Sequence, residues 1–211
     1  MDITISMEHA RVSESAVMRS VKNTQQVRAS VKKVVKQRDL LSDYASVLLP
    51  DEREQMQQVK RVANKIGACD LLVVVGIGGS NLGTKAVYDA LGAKIPLLFV
   101  DTVDALQLQR QCDEIEKYLK KGKKVVVNVI TKSGGTTETI ANGEVVIAVV
   151  KKYVRDYEKN IVITTNKDSS LAVYAREQGF YVLEMPVSVG GRYSVLSVVG
   201  LFPLYLSGVP V

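Results

Sequence analysis

The run Leu71-Leu72-Val73-Val74-Val75 constrains the fold more than any other feature of the chain. Five consecutive apolar residues without polar alternation suit a strand covered on both faces, as in a parallel sheet. Four further runs of this kind follow, at residues 96–100, 124–130, 161–165 and 180–185. The intervals between them are long enough for crossover helices. Two of these carry apolar stripes, one of Leu106, Cys112, Ile115 and Leu119, the other of Val145, Val146, Val149 and Tyr153. Alternating units of this length predict an α/β fold, a doubly wound, mostly parallel five-stranded sheet with right-handed crossovers. Ahead of it, residues 13–49 read as charged helix, and Pro50-Asp51-Glu52 opens a second helix to about residue 66, with acidic residues at the positive end of its dipole. The chain therefore divides into an N-terminal helical segment, residues 1–67, and an α/β domain, residues 68–211.

Composition removes several classes of function. With 46% hydrophobic content over 211 residues, the chain can bury a sizeable core. Its net charge of +6 is densest at Lys32, Lys33, Lys36 and Arg38. No aromatics interleave there to stack bases, so a solvated helix face is expected and no nucleic-acid partner. Cys69 and Cys112 match neither a CxxC pair nor a disulfide framework, and no apolar stretch behind basic residues marks a signal peptide. A reduced, cytoplasmic setting follows. Residues 193–211 carry no charge, yet they contain Gly200, Pro203, Ser207, Gly208 and Pro210 and have no basic flank beyond. That composition predicts a buried helix rather than a membrane span.

Ligands of doubly wound sheets bind outside the carboxyl ends of the strands, which directs attention to the loops there. After the first strand comes Gly76-Ile77-Gly78-Gly79-Ser80-Asn81-Leu82-Gly83. Residues without a Cβ let backbone N–H groups approach an oxyanion, and the following helix start adds partial positive charge. A bare strand-to-helix turn is the alternative. The dinucleotide fingerprint fails because Asn81 stands at its third glycine. The nucleoside-triphosphate loop comes closer, with Gly78 and Gly83 correctly separated and Asp101 ending an apolar run, but Thr84-Lys85 reverses the required order. After the third strand lies Thr131-Lys132-Ser133-Gly134-Gly135-Thr136-Thr137-Glu138-Thr139, rich in hydroxyls that donate to phosphate oxygens. Ordinary capping by Thr136 or Thr137 is the competing explanation. The last loop, Val189-Gly190-Gly191-Arg192-Tyr193-Ser194, offers one guanidinium behind two glycines, suited to forking onto oxyanions or to a structural ion pair.

The order and spacing of these three motifs resemble the glucose-6-phosphate isomerase family over residues 71–208. The third motif, with residues 195–200, separates that family from sugar-isomerase (SIS) domains at large. The resemblance implies a SIS-like domain in which Ser80, Thr131, Ser133 and Thr136 hold the sugar phosphate, while Gly78, Gly79, Lys132 and Gly191 line the pocket. It makes Arg192 the catalytic residue, stabilising the enediolate of an aldose-ketose isomerisation between glucose 6-phosphate and fructose 6-phosphate. Neither a cofactor nor a metal is implied. Thr131 stands where the family more often has serine.

The family's glutamate base, ring-opening histidine and late lysine come from a second SIS domain that has no counterpart here, so a partial chain is expected. The sole histidine, His9, reads as solvated or capping. Glu138 belongs to a helix's first turn and Glu184 to a strand end, neither a convincing base. The resemblance further implies a homodimer or a complementing second-half chain, with the apolar tail exposed for association. Two alternatives share parts of this pattern: a non-catalytic sugar-phosphate module and a nucleotide-binding α/β enzyme.

Overall fold

The computed structural model describes Ser6 and residues 9–211; expectations that concern residues 1–5, 7 and 8 lie outside the described residues. Five parallel strands form one sheet: β1 (Leu71–Val75), β2 (Leu97–Val100), β3 (Val125–Ile130), β4 (Ile161–Thr165) and β5 (Tyr181–Glu184), in the order β2-β1-β3-β4-β5. Each expected run becomes a strand, three of them trimmed by one residue at an end or both. Although β1 and β3 are buried along their whole lengths, their side chains still divide between two cores. Leu72, Val74, Val126 and Ile130 face one side; Leu71, Val73, Val75, Val125, Val127 and Val129 face the other.

Helices α3 (Arg53–Ile66) and α8 (Val198–Ser207) cover the first face, joined by Gln55, whose side-chain carbonyl accepts from the Val198 N–H at 3.1 Å. Helix α4 (Leu82–Leu91) packs against α8. The second face is covered by α5 (Ala105–Lys120), α6 (Thr137–Tyr153) and α7 (Ser170–Glu177), through residues such as Ile115, Val146, Val150 and Ala175. Both expected stripes lose one member to solvent. Leu106 is 61% exposed and Val145 43% exposed, because the buried arcs centre on Ile115 and Val146.

The N-terminal helix is interrupted. In place of one helix over residues 13–49 there are α1 (Glu14–Asn23), α2 (Gln25–Gln37) and a 3-10 segment (Ala45–Asp51). Arg38 ends α2 in the left-handed region, at φ +49°. Beyond it the Asp39 and Ser42 side chains accept from the Leu41 and Tyr44 N–H groups, a local pairing that competes with helix. Lys32, Lys33, Lys36 and Arg38 are exposed as expected. The tail differs from expectation in one respect: α8 is buried on nearly every side, Phe202 fully so, and is not an exposed association surface. No described helix is long and apolar enough to cross a membrane.

Candidate functional site

The chain leaves β1 through α4 toward β2 at one side and leaves β3 through α6 toward β4 at the other. Diverging connections at neighbouring strands open a crevice at their carboxyl ends, the usual ligand position in such sheets. The first two sequence motifs meet there. Gly78 sits at φ +62°, where glycine is favoured, and starts a 3-10 turn (Gly78–Ser80) that leads into α4. Gly76 lets the end of β1 press against β3: a Cβ there would lie 3.1 Å from the Ile130 carbonyl oxygen.

The second loop is folded around its own hydroxyls. The Thr131 and Thr136 Oγ1 atoms lie 3.0 Å apart, and Ser133 Oγ accepts from the Gly135 N–H at 3.2 Å. Gly134, at φ +72°, leaves room for the next loop, since its Cβ would stand 2.9 Å from that of Ser169.

Helix starts around the sheet differ in a way that bears on ligand binding. Asp104, Ser169 and Ser197 cap α5, α7 and α8 with side-chain oxygens, accepting from Gln107, Ala172 and Val199 respectively. Among the described residues Asn81 and Thr136, at the starts of α4 and α6, make no such bond, and neither does Glu52 at the start of α3, which pairs with Arg38 at 3.5 Å instead. The expected alternative for Thr136, ordinary capping, is therefore not what the side chain does. Asn81 is buried, and its Nδ2 donates to Asp101 Oδ2 at 2.9 Å instead. The loop after β2 is held from its other side by Asn142 of α6, whose amide donates to the Thr102 carbonyl. Both ties escaped sequence reading, because asparagines on a helix carry no signal of a distant partner.

The third motif comes to the same place. Gly190–Tyr193 lies against the first loop so closely that a Cβ on Gly79 would stand 2.6 Å from the Gly191 oxygen and 2.7 Å from the Arg192 nitrogen. Lys132 Nζ donates to the Val189 carbonyl at 3.0 Å, and Ser194 Oγ donates to the Gly191 carbonyl at 2.6 Å, with the Gly79 carbonyl 3.3 Å away. The Arg192 side chain is exposed, with its guanidinium carbon 6.0 Å from the Tyr193 ring centre. Thus Gly78, Gly79, Ser80, Thr131, Lys132, Ser133, Thr136, Gly191 and Arg192 belong to three loops in mutual contact.

The remaining candidates lie elsewhere. Lys85 pairs with Asp89 at 3.1 Å and lies over the Phe99 ring, away from the placement a triphosphate loop requires. Glu184 accepts from Arg176 at 3.0 Å, Glu138 is exposed, and His9 is exposed. Burial pushes the Cys69 thiol up to about 11 and raises that of Cys112, which makes both poor nucleophiles. Among the described residues no group of three or more His, Cys, Asp or Glu side chains is placed to hold a metal.

The phosphoglucose isomerase family model matches residues 12–208 of this chain. The chain belongs to the phosphoglucose isomerase family. Its similarity to a glucose-6-phosphate isomerase of Thermus thermophilus is 34% identity over 166 residues, covering 76% of this chain and 38% of the relative. A probable glucose-6-phosphate isomerase of Haloquadratum walsbyi is 36% identical over 142 residues, with 66% and 32% covered. Among solved structures, a hypothetical protein of Thermus thermophilus superposes with a TM-score of 0.73 at 27% identity, covering 90% of this chain and 46% of that one. A Chlamydia trachomatis glucose-6-phosphate isomerase gives 0.62 at 26% identity, covering 74% and 30%. The chain thus spans between 30% and 38% of the length of these three glucose-6-phosphate isomerases, and its three motif loops fall within the region that the family model matches.

Proposed function

We propose that this chain supplies the sugar-phosphate site and the enediolate-stabilising arginine of a glucose-6-phosphate isomerase. The observation that carries the reading is the pair of helix starts, α4 and α6, left without side-chain caps on either side of one crevice. Their free N–H groups favour an anion. Ser80, Ser133 and the Thr131–Thr136 hydroxyl pair would donate to the phosphate oxygens, leaving the sugar to extend toward Arg192. As a base moves a proton between C2 and C1, negative charge develops on the substrate's oxygens, and a guanidinium held nearby stabilises that charge more than it stabilises the bound ground state.

The base is not among the groups described: Glu184 is engaged by Arg176, and Glu138 is exposed in the first turn of α6. In this reading residues 68–211 bind ligand and residues 1–67 form the helical segment beside them. The base comes from the family's second SIS domain, in a homodimer or a complementing chain of the cytoplasm. No cofactor, metal or nucleic acid takes part.

Calorimetric titration with fructose 6-phosphate, ATP and magnesium tests the binding assignment. Binding of the sugar phosphate alone is expected, and magnesium-dependent ATP binding would replace the reading with a nucleotide enzyme. General acid–base catalysis contributes about 10²- to 10⁴-fold. A coupled assay for glucose 6-phosphate formation should therefore find the 211-residue chain nearly inactive, with Arg192→Ala changing little. Robust turnover abolished by Arg192→Ala would locate a base within this chain, whereas full activity in the variant would remove the arginine from catalysis.

A further inference from the structure

The segment that carries Arg192 is fitted into the rest of the domain by three glycines on other elements. Gly79 admits the Gly191–Arg192 peptide. Gly83 on α4 admits Val195, whose Cβ would lie 2.9 Å from a Cβ added there, and Gly200 on α8 admits the Val195 backbone, with its Cα also 2.9 Å away. Val195 is thereby wedged between two helices. Just before it, Ser194 is 1% exposed, its own carbonyl accepts from Ser197 Oγ at 2.6 Å, and its hydroxyl lies between the carbonyls of Gly191 and Gly79. At the loop's other end the Lys132 ammonium holds the Val189 carbonyl. Residues 190–193 are thus an exposed or half-exposed arch whose two feet stand on the two halves of the crevice.

We propose that Ser194 is a positioning residue that couples the phosphate cradle to Arg192. The hydroxyl has one proton. At 2.6 Å the Gly191 carbonyl takes most of it, closing the arch on itself, while the Gly79 carbonyl at 3.3 Å is a second acceptor on the cradle. A phosphate drawing in the N–H groups of residues 78 and 79 moves the Gly79 peptide, and the Ser194 hydroxyl, lying between the carbonyls of Gly79 and Gly191, holds Gly191 and Arg192 to that movement across their close contact. Remote binding energy at the phosphate is thereby used to orient the group that acts at the reacting end. This inference rests on the cradle reading above.

The test follows backbone amides and the Arg192 Nε–H by nuclear magnetic resonance while inorganic phosphate and, separately, fructose 6-phosphate are added. In the native chain both ligands are expected to shift Gly79 and Ser80, and with them Gly191, Arg192 and Tyr193. In Ser194→Ala the cradle shifts should persist, with phosphate affinity within about threefold of native, while the response at residues 191–193 is lost. Without ligand, amide exchange at Tyr193 should quicken about fivefold to tenfold in the variant, as one lost hydrogen bond allows. Unchanged signals from the strands certify that the variant is folded. Gly79→Ala reaches the same contact from the other side and should also detach the arch. Unchanged exchange at Tyr193 together with an intact response at Arg192 in both variants would overturn the latch while leaving the cradle standing. Absence of any ligand-induced shift at Gly79, Ser80 and Thr136 in the native chain would instead remove the cradle and the coupling with it.

Discussion

The loops after β2 and β4 and the loops after β1 and β3 perform the same topological task, yet they treat the helices they feed in opposite ways. Asp104 and Ser169 close α5 and α7 with their own oxygens, whereas Asn81 and Thr136 turn to other partners and leave α4 and α6 open. A capping bond and a bound anion are alternative uses of the same N–H donors. The flanking loops spend those donors on helix stability, and the central pair withholds them.

The comparison is broken most severely by removing the hydroxyls of the central loops. Ser133→Ala with Thr136→Ala should weaken fructose 6-phosphate binding by roughly 1.5 to 3 kcal/mol per hydroxyl, the worth of a hydrogen bond to a charged group. Calorimetry measures the loss and urea unfolding should show the fold unchanged. Equal affinity in native chain and double variant would dissolve the distinction between the two classes of loop.

Gly134→Ala should come next, costing about 1 to 3 kcal/mol of stability, because φ +72° and the Ser169 side chain both oppose a Cβ. Urea unfolding that matches the native curve would mean the two loops can separate freely. In the flanking class, Asp104→Ala should lower stability by about 1 kcal/mol and leave ligand affinity as it was. A change in affinity there would show that the cap is not independent of the site.

The smallest effect concerns a charge cluster far from the loops. Hydrogen bonds from Lys120 and then from the Tyr153 hydroxyl hold Glu116 at about 2, below its ordinary 4.5. A carboxyl depressed by folding contributes stability above its ordinary value and loses it as pH falls toward the folded one. Between pH 4.5 and about 2 the native chain should therefore lose a small amount of stability that Glu116→Gln does not lose, small because the group is solvent-screened. Parallel acid titrations of the two would refute the assignment.

The sheet was legible because burial on both faces leaves no polar residue in Leu71–Val75, and the place where the motif loops meet because glycine and hydroxyl clusters fell at the ends of the first and third strands. Other features left weaker marks. The break at Arg38 depends on one residue in a left-handed conformation and on two short polar side chains capturing nearby N–H groups, a balance that helical periodicity does not register. Leu106 and Val145 satisfied an apolar stripe without being buried, since a stripe fixes a face and not how much of it is covered. Ser194 and Asn81 were hidden for a different reason: their partners, Gly79 and Asp101, are backbone or side-chain atoms remote in sequence. Gly83 and Gly200 stood in the open, but a glycine does not name the neighbour it admits.

Helix α8 has a bearing on how the protein is made. It lies against α3, and the entire sheet is encoded between the two. As the chain emerges from the ribosome, all five strands can be synthesised while one face still lacks Phe202, Val198 and Val199. Synthesis proceeds at about 5–20 residues per second, so that face stays open for seconds, during which exposed apolar surface invites aggregation or a chaperone. The nascent domain should therefore lock no earlier than the arrival of α8, and a stalled ribosome upstream of residue 198 would hold a sheet with one face covered by α3 without α8.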